Sequence, residues 1–265
     1  MKKFLSVGFL IFVSGLLALV FQTSATAQIS NNQTKNPADS RKKSIVLLEL
    51  FTSEGCPTCP PADANLAFLE KEQPVFDVEI VTLALHVDYW NSVDWKDKYS
   101  SPIFSRRQQL YSQALKLNQS YTPQMVVDGR AEFVGNNLAK AQKTLIEAAK
   151  MQKATIEITP VADKFKIKIS NVPAHENASV FLAVVEDNLT SNRKGGTNAN
   201  KNPALVSVVR NLSSLGMLTA AQTDLEIETA LQIQPDWTRE NLKIVVFVQE
   251  NMSRRILGVS KKSLI

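Results

Sequence analysis

The sequence has few of the residues from which disulfide frameworks and metal sites are built. Its 265 residues include two cysteines and two histidines. A disulfide framework uses four or more cysteines in a short chain, and structural zinc requires four ligands, so neither class fits. A bridge between Cys56 and Cys59 would close a very short loop and restrict the unfolded chain little, which makes a purely structural staple a weak interpretation.

Signature motifs and basic blocks are also lacking. The chain has no glycine-rich phosphate loop, no H-E-x-x-H pair, no nucleophile elbow and no internal repeat, so the common motif-defined enzyme classes are not indicated. The pI is near 9.1, but the basic residues are scattered. Removal of residues 1–27 would take away two lysines and no acid, lowering the net charge from +5 to +3. We therefore expect no nucleic-acid partner.

A long hydrophobic run occurs at the N-terminus and nowhere else in the sequence. Two lysines precede an apolar run at 4–21, and Ala25-Thr26-Ala27 fits the small-residue rule for signal-peptide cleavage. We expect residues 1–27 to be a signal peptide that is cleaved after Ala27, and the protein to be periplasmic or secreted. It would associate with a membrane only if this segment stays uncleaved.

In the remaining chain the pattern of predicted secondary structure changes near residue 152. Residues 28–43 are polar and read as a flexible tether. Buried-strand and helical patterns alternate up to residue 152: strands at 44–51 and 78–87, helices at 60–71, 103–117 and 137–151, and a hairpin at 122–135 around Asp128-Gly129. From residue 153 to 265 the sequence consists of short β-rich runs, typical of a β-sandwich.

The two cysteines stand between the first predicted strand and the first predicted helix. In C-x-x-C at a helix start the two side chains face the same way, at the separation that a disulfide needs. The positive end of the helix dipole stabilises a thiolate, so the pKa of Cys56 should fall. We therefore predict that Cys56 attacks a substrate and that Cys59 resolves the mixed disulfide.

These motifs resemble the thioredoxin superfamily, in which a strand leads into C-P-T-C and a later Thr-Pro precedes a hairpin strand. The resemblance implies that Pro123 is cis and faces the cysteines, and that Thr122 pairs with a substrate backbone. "LELFTSEGCPTCPPAD", "HVDYWNSVDWKD", "SPIFSRRQ" and "YTPQMVVDGRAEFVG" are similar to a family of secreted bacterial proteins with a thioredoxin-like domain and no assigned function. The expected fold is a thioredoxin-like α/β domain over 44–152, followed by an all-β, sandwich-like domain over 153–265.

Three further residues are candidates for the same site. Glu49 interrupts the first buried strand, where a carboxylate of raised pKa could relay protons to the second cysteine; the alternative is an edge position that faces solvent. His86 and Trp90, in "LHVDYWNSVDW", could line a substrate groove, although a lone histidine at a strand end is more often structural.

The sequence therefore predicts an exported thiol–disulfide oxidoreductase that acts on protein or small-molecule thiols and disulfides and requires no bound cofactor. Two alternatives remain open. The same two thiols could bind and deliver Cu(I), a soft ion that accepts few ligands. The chain could also be a non-enzymatic binding module on a thioredoxin-like scaffold.

Overall fold

The computed structural model describes residues 43–191 and 204–264. The predicted signal peptide and all but the last residue of the predicted tether lie outside these residues. Among the described helices, none has the length and apolar character needed to cross a membrane.

The predicted helices are present, with bounds that shift by a few residues. Within the described residues the α helices are α1 (Pro60–Glu72), α2 (Pro102–Ala114) and α3 (Leu138–Ala148). Prolines begin α1 and α2 because the first helical position needs no N–H donor. The side chains of Ser101 and Asn137 accept hydrogen bonds from backbone N–H groups in the first turns of α2 and α3.

The strands number thirteen over the same residues, and most match the predicted runs. They are β1 (Ser44–Thr52), β2 (Val78–His86), β3 (Gln124–Val127), β4 (Ala131–Val134), β5 (Thr155–Val161), β6 (Lys164–Ser170), β7 (Ala178–Glu186), β8 (Leu189–Thr190), β9 (Ala204–Leu205), β10 (Val208–Leu218), β11 (Leu225–Ala230), β12 (Leu242–Glu250) and β13 (Ile256–Ser263).

Eight of these strands form one mixed sheet in the order β13-β12-β7-β10-β2-β1-β3-β4. The fold-class prediction of a thioredoxin-like α/β domain followed by a β-sandwich is therefore wrong. β10, from the β-rich half, pairs in parallel with β2, with Val208 opposite Ala84. The alternation of apolar and polar residues identifies a strand, but it does not show which other strand pairs with the open edge of that strand. Here β10 fills the edge of β2 and joins both halves of the sequence.

The two faces of β1 and β2 are covered by different elements. Even-numbered residues of β1, such as Leu48 and Leu50, pack with α1 and α3. Odd-numbered residues, such as Leu47 and Phe51, pack with α2 and with β12 and β13 of the same sheet. This division follows from the period of two along a strand, and it decides which side chains can approach the cysteines.

The predicted hairpin between β3 and β4 is confirmed. Its turn residues Asp128 and Gly129 have φ angles of 49° and 65°, the left-handed region that the Asp-Gly signal supplies. A Cβ at Gly129 would lie 1.8 Å from the carbonyl oxygen of Arg254, so this turn packs closely against the β12–β13 connection. The glycine therefore serves both the turn and the close approach.

Candidate functional site

Cys56 and Cys59 are joined by a disulfide in the turn between β1 and α1, with Cα atoms 5.4 Å apart. Cys59 occupies the position just before the first residue of α1. Its carbonyl oxygen accepts hydrogen bonds from the N–H groups of Ala62 and Asp63. Cys59 thus lies directly at the positive end of the helix dipole, and Cys56 lies three residues further out.

The two cysteines are buried, whereas the residues between them are not. Cys56 and Cys59 are each 0% exposed, and Pro57 and Thr58 are exposed. The Sγ atom of Cys56 lies 3.5 Å from the hydroxyl oxygen of Thr58. The Pro57-Thr58 turn is therefore the exposed part of the cysteine motif.

A cluster of ionisable side chains lies at the carboxyl ends of β1 and β2, next to the start of α1. Thr52 ends β1, pairs with His86 at the end of β2, and donates its hydroxyl hydrogen to Asp63 at 2.8 Å. Asp63 follows Cys59 by one helical turn, so the two residues share one side of α1. The carboxyl ends of parallel strands are the usual place for chemistry in mixed α/β sheets.

Asp97 ties this cluster to the loop that carries Cys56. One carboxylate oxygen, Oδ2, accepts hydrogen bonds from the hydroxyl of Ser53 at 3.2 Å and from the N–H of Glu54 at 2.8 Å. The same oxygen lies 2.8 Å from Nδ1 of His86. Asp97 therefore fixes both the approach to Cys56 and the orientation of the imidazole.

The two acids of the cluster, Asp97 and Asp63, have pKa values shifted in opposite directions. Burial raises the pKa of Asp97, but the attraction and hydrogen bond of His86 and two backbone N–H groups bring that pKa below its ordinary value. Burial lowers the pKa of His86, but Asp97, Asp63 and Glu54 together outweigh that effect, so the pKa of His86 lies above its ordinary value. Burial raises the pKa of Asp63 to about 6, against the opposing effects of His86 and Thr52. Asp63 is thus the group that can exchange a proton near neutral pH.

A small cavity is lined by both Asp63 and His86. It has a volume of about 10 Å³ and is lined by Asp63, His86 and apolar residues of α1, β2 and the segment around β9 and β10. Such a volume is close to the minimum for a single water molecule. Nε2 of His86 is buried and has no hydrogen-bond partner among the described residues.

Trp90 links the cysteine loop to the Thr122-Pro123 segment. Its Nε1 donates a hydrogen bond to the hydroxyl of Thr122 at 2.8 Å. A Cβ placed on Gly55 would lie 2.8 Å from Cβ of Trp90, so Trp90 packs directly beside the residue before Cys56. The Thr122–Pro123 peptide bond is cis, as the resemblance implied.

Glu49 lies on the other face of the sheet. Its two carboxylate oxygens accept hydrogen bonds from Arg107 of α2, at 2.5 and 3.0 Å, and from the hydroxyl of Tyr111. Since α1 covers the opposite face of β1, Glu49 is separated from Cys59 by the sheet. The neighbouring carboxyl group on the face of the cysteines is Asp63.

The structure thus brings Cys56, Cys59, Trp90 and Thr122 into one region and places His86 beside it, buried rather than lining a groove. Sequence reasoning missed Asp63 and Asp97. A signal for Asp63 was available, because it stands four residues after Cys59 at the start of a predicted helix. Asp97 carried no such signal, since it lies in an irregular segment 41 residues beyond Cys56.

Comparison with known proteins gives a family and a fold. A family model described as "Protein of unknown function (DUF1223)" matches residues 47–249. A crystal structure of an Agrobacterium tumefaciens protein is 26% identical, with a TM-score of 0.67 over 82% of this chain and 92% of that chain. A domain of the Porphyromonas gingivalis outer membrane lipoprotein Omp28 is 15% identical, with a TM-score of 0.26 over 42% of this chain and 87% of that chain, too low to carry an argument. Among curated proteins, none matches the chain.

Proposed function

Because the chain belongs to the DUF1223 family, which is described as being of unknown function, we propose its function from the site alone: it is a thiol–disulfide oxidoreductase that acts through Cys56 and Cys59. The observation that carries this proposal is the disulfide at the start of α1, one helical turn from a carboxyl group whose pKa is near neutral. The substrates are protein or small-molecule thiols and disulfides, which the N-terminal segment predicts to lie outside the cytoplasm.

One exchange in the reducing direction needs only the substrate disulfide and the dithiol form of the protein, and a thiol donor restores the dithiol for the next one. In the reducing direction the Cys56 thiolate attacks one sulfur of a substrate disulfide, forming a mixed disulfide and releasing the other sulfur as a thiolate. Cys59 then gives its proton to the carboxylate of Asp63 and attacks the Cys56 sulfur. The second substrate thiolate leaves, and the Cys56–Cys59 disulfide forms. Two electrons have passed from the protein to the substrate, and the reverse sequence oxidises a dithiol.

The elements around the cysteines have distinct roles in this scheme. Asp63 accepts or returns the proton of Cys59, because its pKa of about 6 leaves it mostly ionised at neutral pH and still able to take a proton. Asp97 positions the loop of Cys56 through Ser53 and Glu54. Since both cysteines are buried, a substrate reaches Cys56 only when the Pro57-Thr58 turn moves outward.

Single cysteine variants test the assignment. Cys56→Ser should lose disulfide-reductase activity, because the attacking sulfur is gone. Cys59→Ser should lose turnover but accumulate a mixed disulfide with the substrate, which mass spectrometry detects as an added mass at Cys56. A Cys56→Ser protein that reduces a disulfide substrate at the wild-type rate would contradict the proposal.

A redox titration in dithiol and glutathione buffers distinguishes a catalytic dithiol–disulfide couple from a structural disulfide. We expect a midpoint between about −120 and −270 mV, the range of thiol oxidoreductases. A midpoint below about −300 mV is typical of inert structural disulfides and would contradict the proposal. Thiols that become reactive only after a copper chelator is added would instead support the Cu(I) alternative.

A further inference from the structure

A second site lies away from the cysteines, in a groove between the start of α2 and the strand β10. The groove has a volume of about 260 Å³, a little less than the pockets that hold drug-sized ligands. Its walls carry two cations, Lys98 and Arg210, and two aromatic side chains, Tyr99 and Trp237. This combination of charge and flat apolar surface is suited to a small ligand.

Arg210 is held rigidly with part of its hydrogen-bonding capacity left over. Its guanidinium carbon lies 5.4 Å from the centre of the Tyr99 ring and 5.1 Å from that of Trp237. One N–H group donates to Glu186, and another donates to Asp236 at 3.1 Å. A guanidinium has five N–H donors, and the others have no hydrogen-bond partner among the described residues. Its side chain is 13% exposed, so the edge of the group is still within reach of a ligand.

Lys98 supplies a positive charge that no carboxylate neutralises in the described part of the chain. Its Nζ atom lies 4.7 Å from the centre of the Tyr99 ring, so Lys98 and Arg210 both contact the same ring. Tyr99 itself is buried, and its hydroxyl has no hydrogen-bond partner over residues 43–191 and 204–264. The groove therefore presents a cation with no carboxylate partner among the described residues, which favours an anionic group.

The acidic residues nearby limit how negative the ligand should be. Glu186 is buried behind Arg210, and Asp236 stands at the rim with its side chain 72% exposed. They carry two negative charges against the single positive charge of Arg210, so with Lys98 the four groups have a formal net charge of zero. A singly charged carboxylate adds less negative charge to this neutral set than a doubly charged phosphate does, and its two oxygens fit the planar donors of arginine.

From these observations we propose that the groove lined by Lys98, Arg210 and Trp237 binds a small organic carboxylate with a flat apolar part. The carboxylate accepts hydrogen bonds from the two cations, and the flat part lies against Trp237. The site goes beyond the thiol chemistry proposed above and does not depend on it, since neither cysteine lines the groove.

Benzoate is the probe that tests the site, with benzyl alcohol as its neutral analogue. Calorimetric titration of the purified protein should give saturable, millimolar binding of benzoate and none of benzyl alcohol. Lys98→Gln should raise the benzoate Kd about tenfold, as expected for the loss of a hydrogen bond from a charged group. Lys96→Gln removes the same charge from an exposed residue outside the groove, and it should leave the Kd within about twofold.

Three results would overturn the inference. The first is equal binding of benzoate and benzyl alcohol, which would show that charge plays no part. The second is an equal loss of affinity in Lys98→Gln and Lys96→Gln, which would show a general surface attraction. The third is tighter binding of phenyl phosphate than of benzoate, which would assign the groove to a different class of anion. Lys98 is exposed, so its substitution leaves the fold intact, and a Cys56→Ser background should give the same affinities.

Discussion

At the scale of single residues, the buried charges of this protein are distinguished by how many partners they have. Asp97 accepts hydrogen bonds from Ser53, Glu54 and Tyr99 and pairs with His86. A carboxylate with that many donors is stable in its charged form. Among the described residues, the side chain of Asp63 accepts one hydrogen bond, from Thr52. Because burial is less well compensated at Asp63, its pKa rises, and the residue becomes available for proton transfer.

Asp63→Asn should make the protein more stable and less active at neutral pH. An acid whose pKa is raised from 3.8 to about 6 on folding is protonated in the folded protein and ionised in the unfolded one between those values. Stability therefore falls as the pH rises through this window, and above it the Asp63 charge costs free energy. The amide has no charge to lose, so the Tm advantage of the variant over wild type should grow from about pH 4 to about pH 7 and then level off.

The matched control for Asp63→Asn is Glu72→Gln, which removes an exposed carboxylate at the other end of α1. Its Tm difference from wild type should be small and nearly independent of pH. The rate of disulfide reduction should fall in Asp63→Asn and lose its dependence on pH near 6, while Glu72→Gln stays at the wild-type rate. A constant Tm difference across the pH range would contradict the assignment of Asp63.

At the scale of elements, the turn between β1 and α1 depends on close packing from outside. Gly55 leaves room for two tryptophans, because a Cβ there would meet Cβ of Trp90 at 2.8 Å and the ring of Trp95 at 3.0 Å. Trp90 cannot move far from Gly55, since its side chain is also hydrogen-bonded to Thr122. The turn that carries the cysteines is therefore held by its neighbours rather than by its own hydrogen bonds alone.

Gly55→Ala should loosen this turn. We expect the free energy of unfolding to fall by about 1–3 kcal/mol, the usual cost of overpacking, and the disulfide to be reduced faster by a bulky phosphine. Gly216→Ala is the matched control, because its Cβ would meet one atom, Cδ1 of Ile227, at an ordinary 3.4 Å. Urea unfolding and the rate of phosphine reduction measure the two effects. Equal stability losses in both variants would show that the tryptophan packing is not the cause.

At the scale of the whole molecule, buried polar groups join the two halves of the sequence. Arg107 of α2 bonds to Glu49 of β1 and, at 2.9 Å, to Gln249 of β12. It also lies 5.0 Å from the centre of the Phe247 ring. Burial lowers the pKa of Arg107, but the attraction and hydrogen bonds of Glu49 and Tyr111 together outweigh that effect, so its pKa lies above the ordinary value. The buried pair of Arg107 and Glu49 therefore holds α2 between the two parts of the sheet.

Glu49→Gln should lower the stability of the whole fold without a specific loss of activity. It leaves Arg107 buried without its carboxylate, which typically costs about 3–5 kcal/mol. Glu147→Gln, in the exposed pair with Lys150, should cost less than about 1 kcal/mol. Urea unfolding followed by tryptophan fluorescence measures both. If the folded Glu49→Gln protein reduced disulfides much more slowly than wild type, Glu49 would have the proton-relay role that the sequence suggested.

The sequence by itself determined most of the local structure. The positions of α1 and α2, the Asp128-Gly129 hairpin and the strands after residue 153 follow from periodicity, proline placement and turn chemistry, all of which depend on near neighbours in the chain. The placement of Cys56 and Cys59 at a helix start was also readable. These features are local, so a single sequence contains the information for them.

Only the tertiary structure decided how these elements are combined. β10 pairs with β2, so the two expected domains contribute strands to one sheet. The sequence of a strand does not specify which other strand will pair with its edge. The same arrangement put Glu49 and Asp63 on opposite faces of β1 and brought Asp97 to the loop of Cys56. Contacts between residues far apart in the chain depend on packing of the whole core, and the spacing of residues along the sequence does not record them.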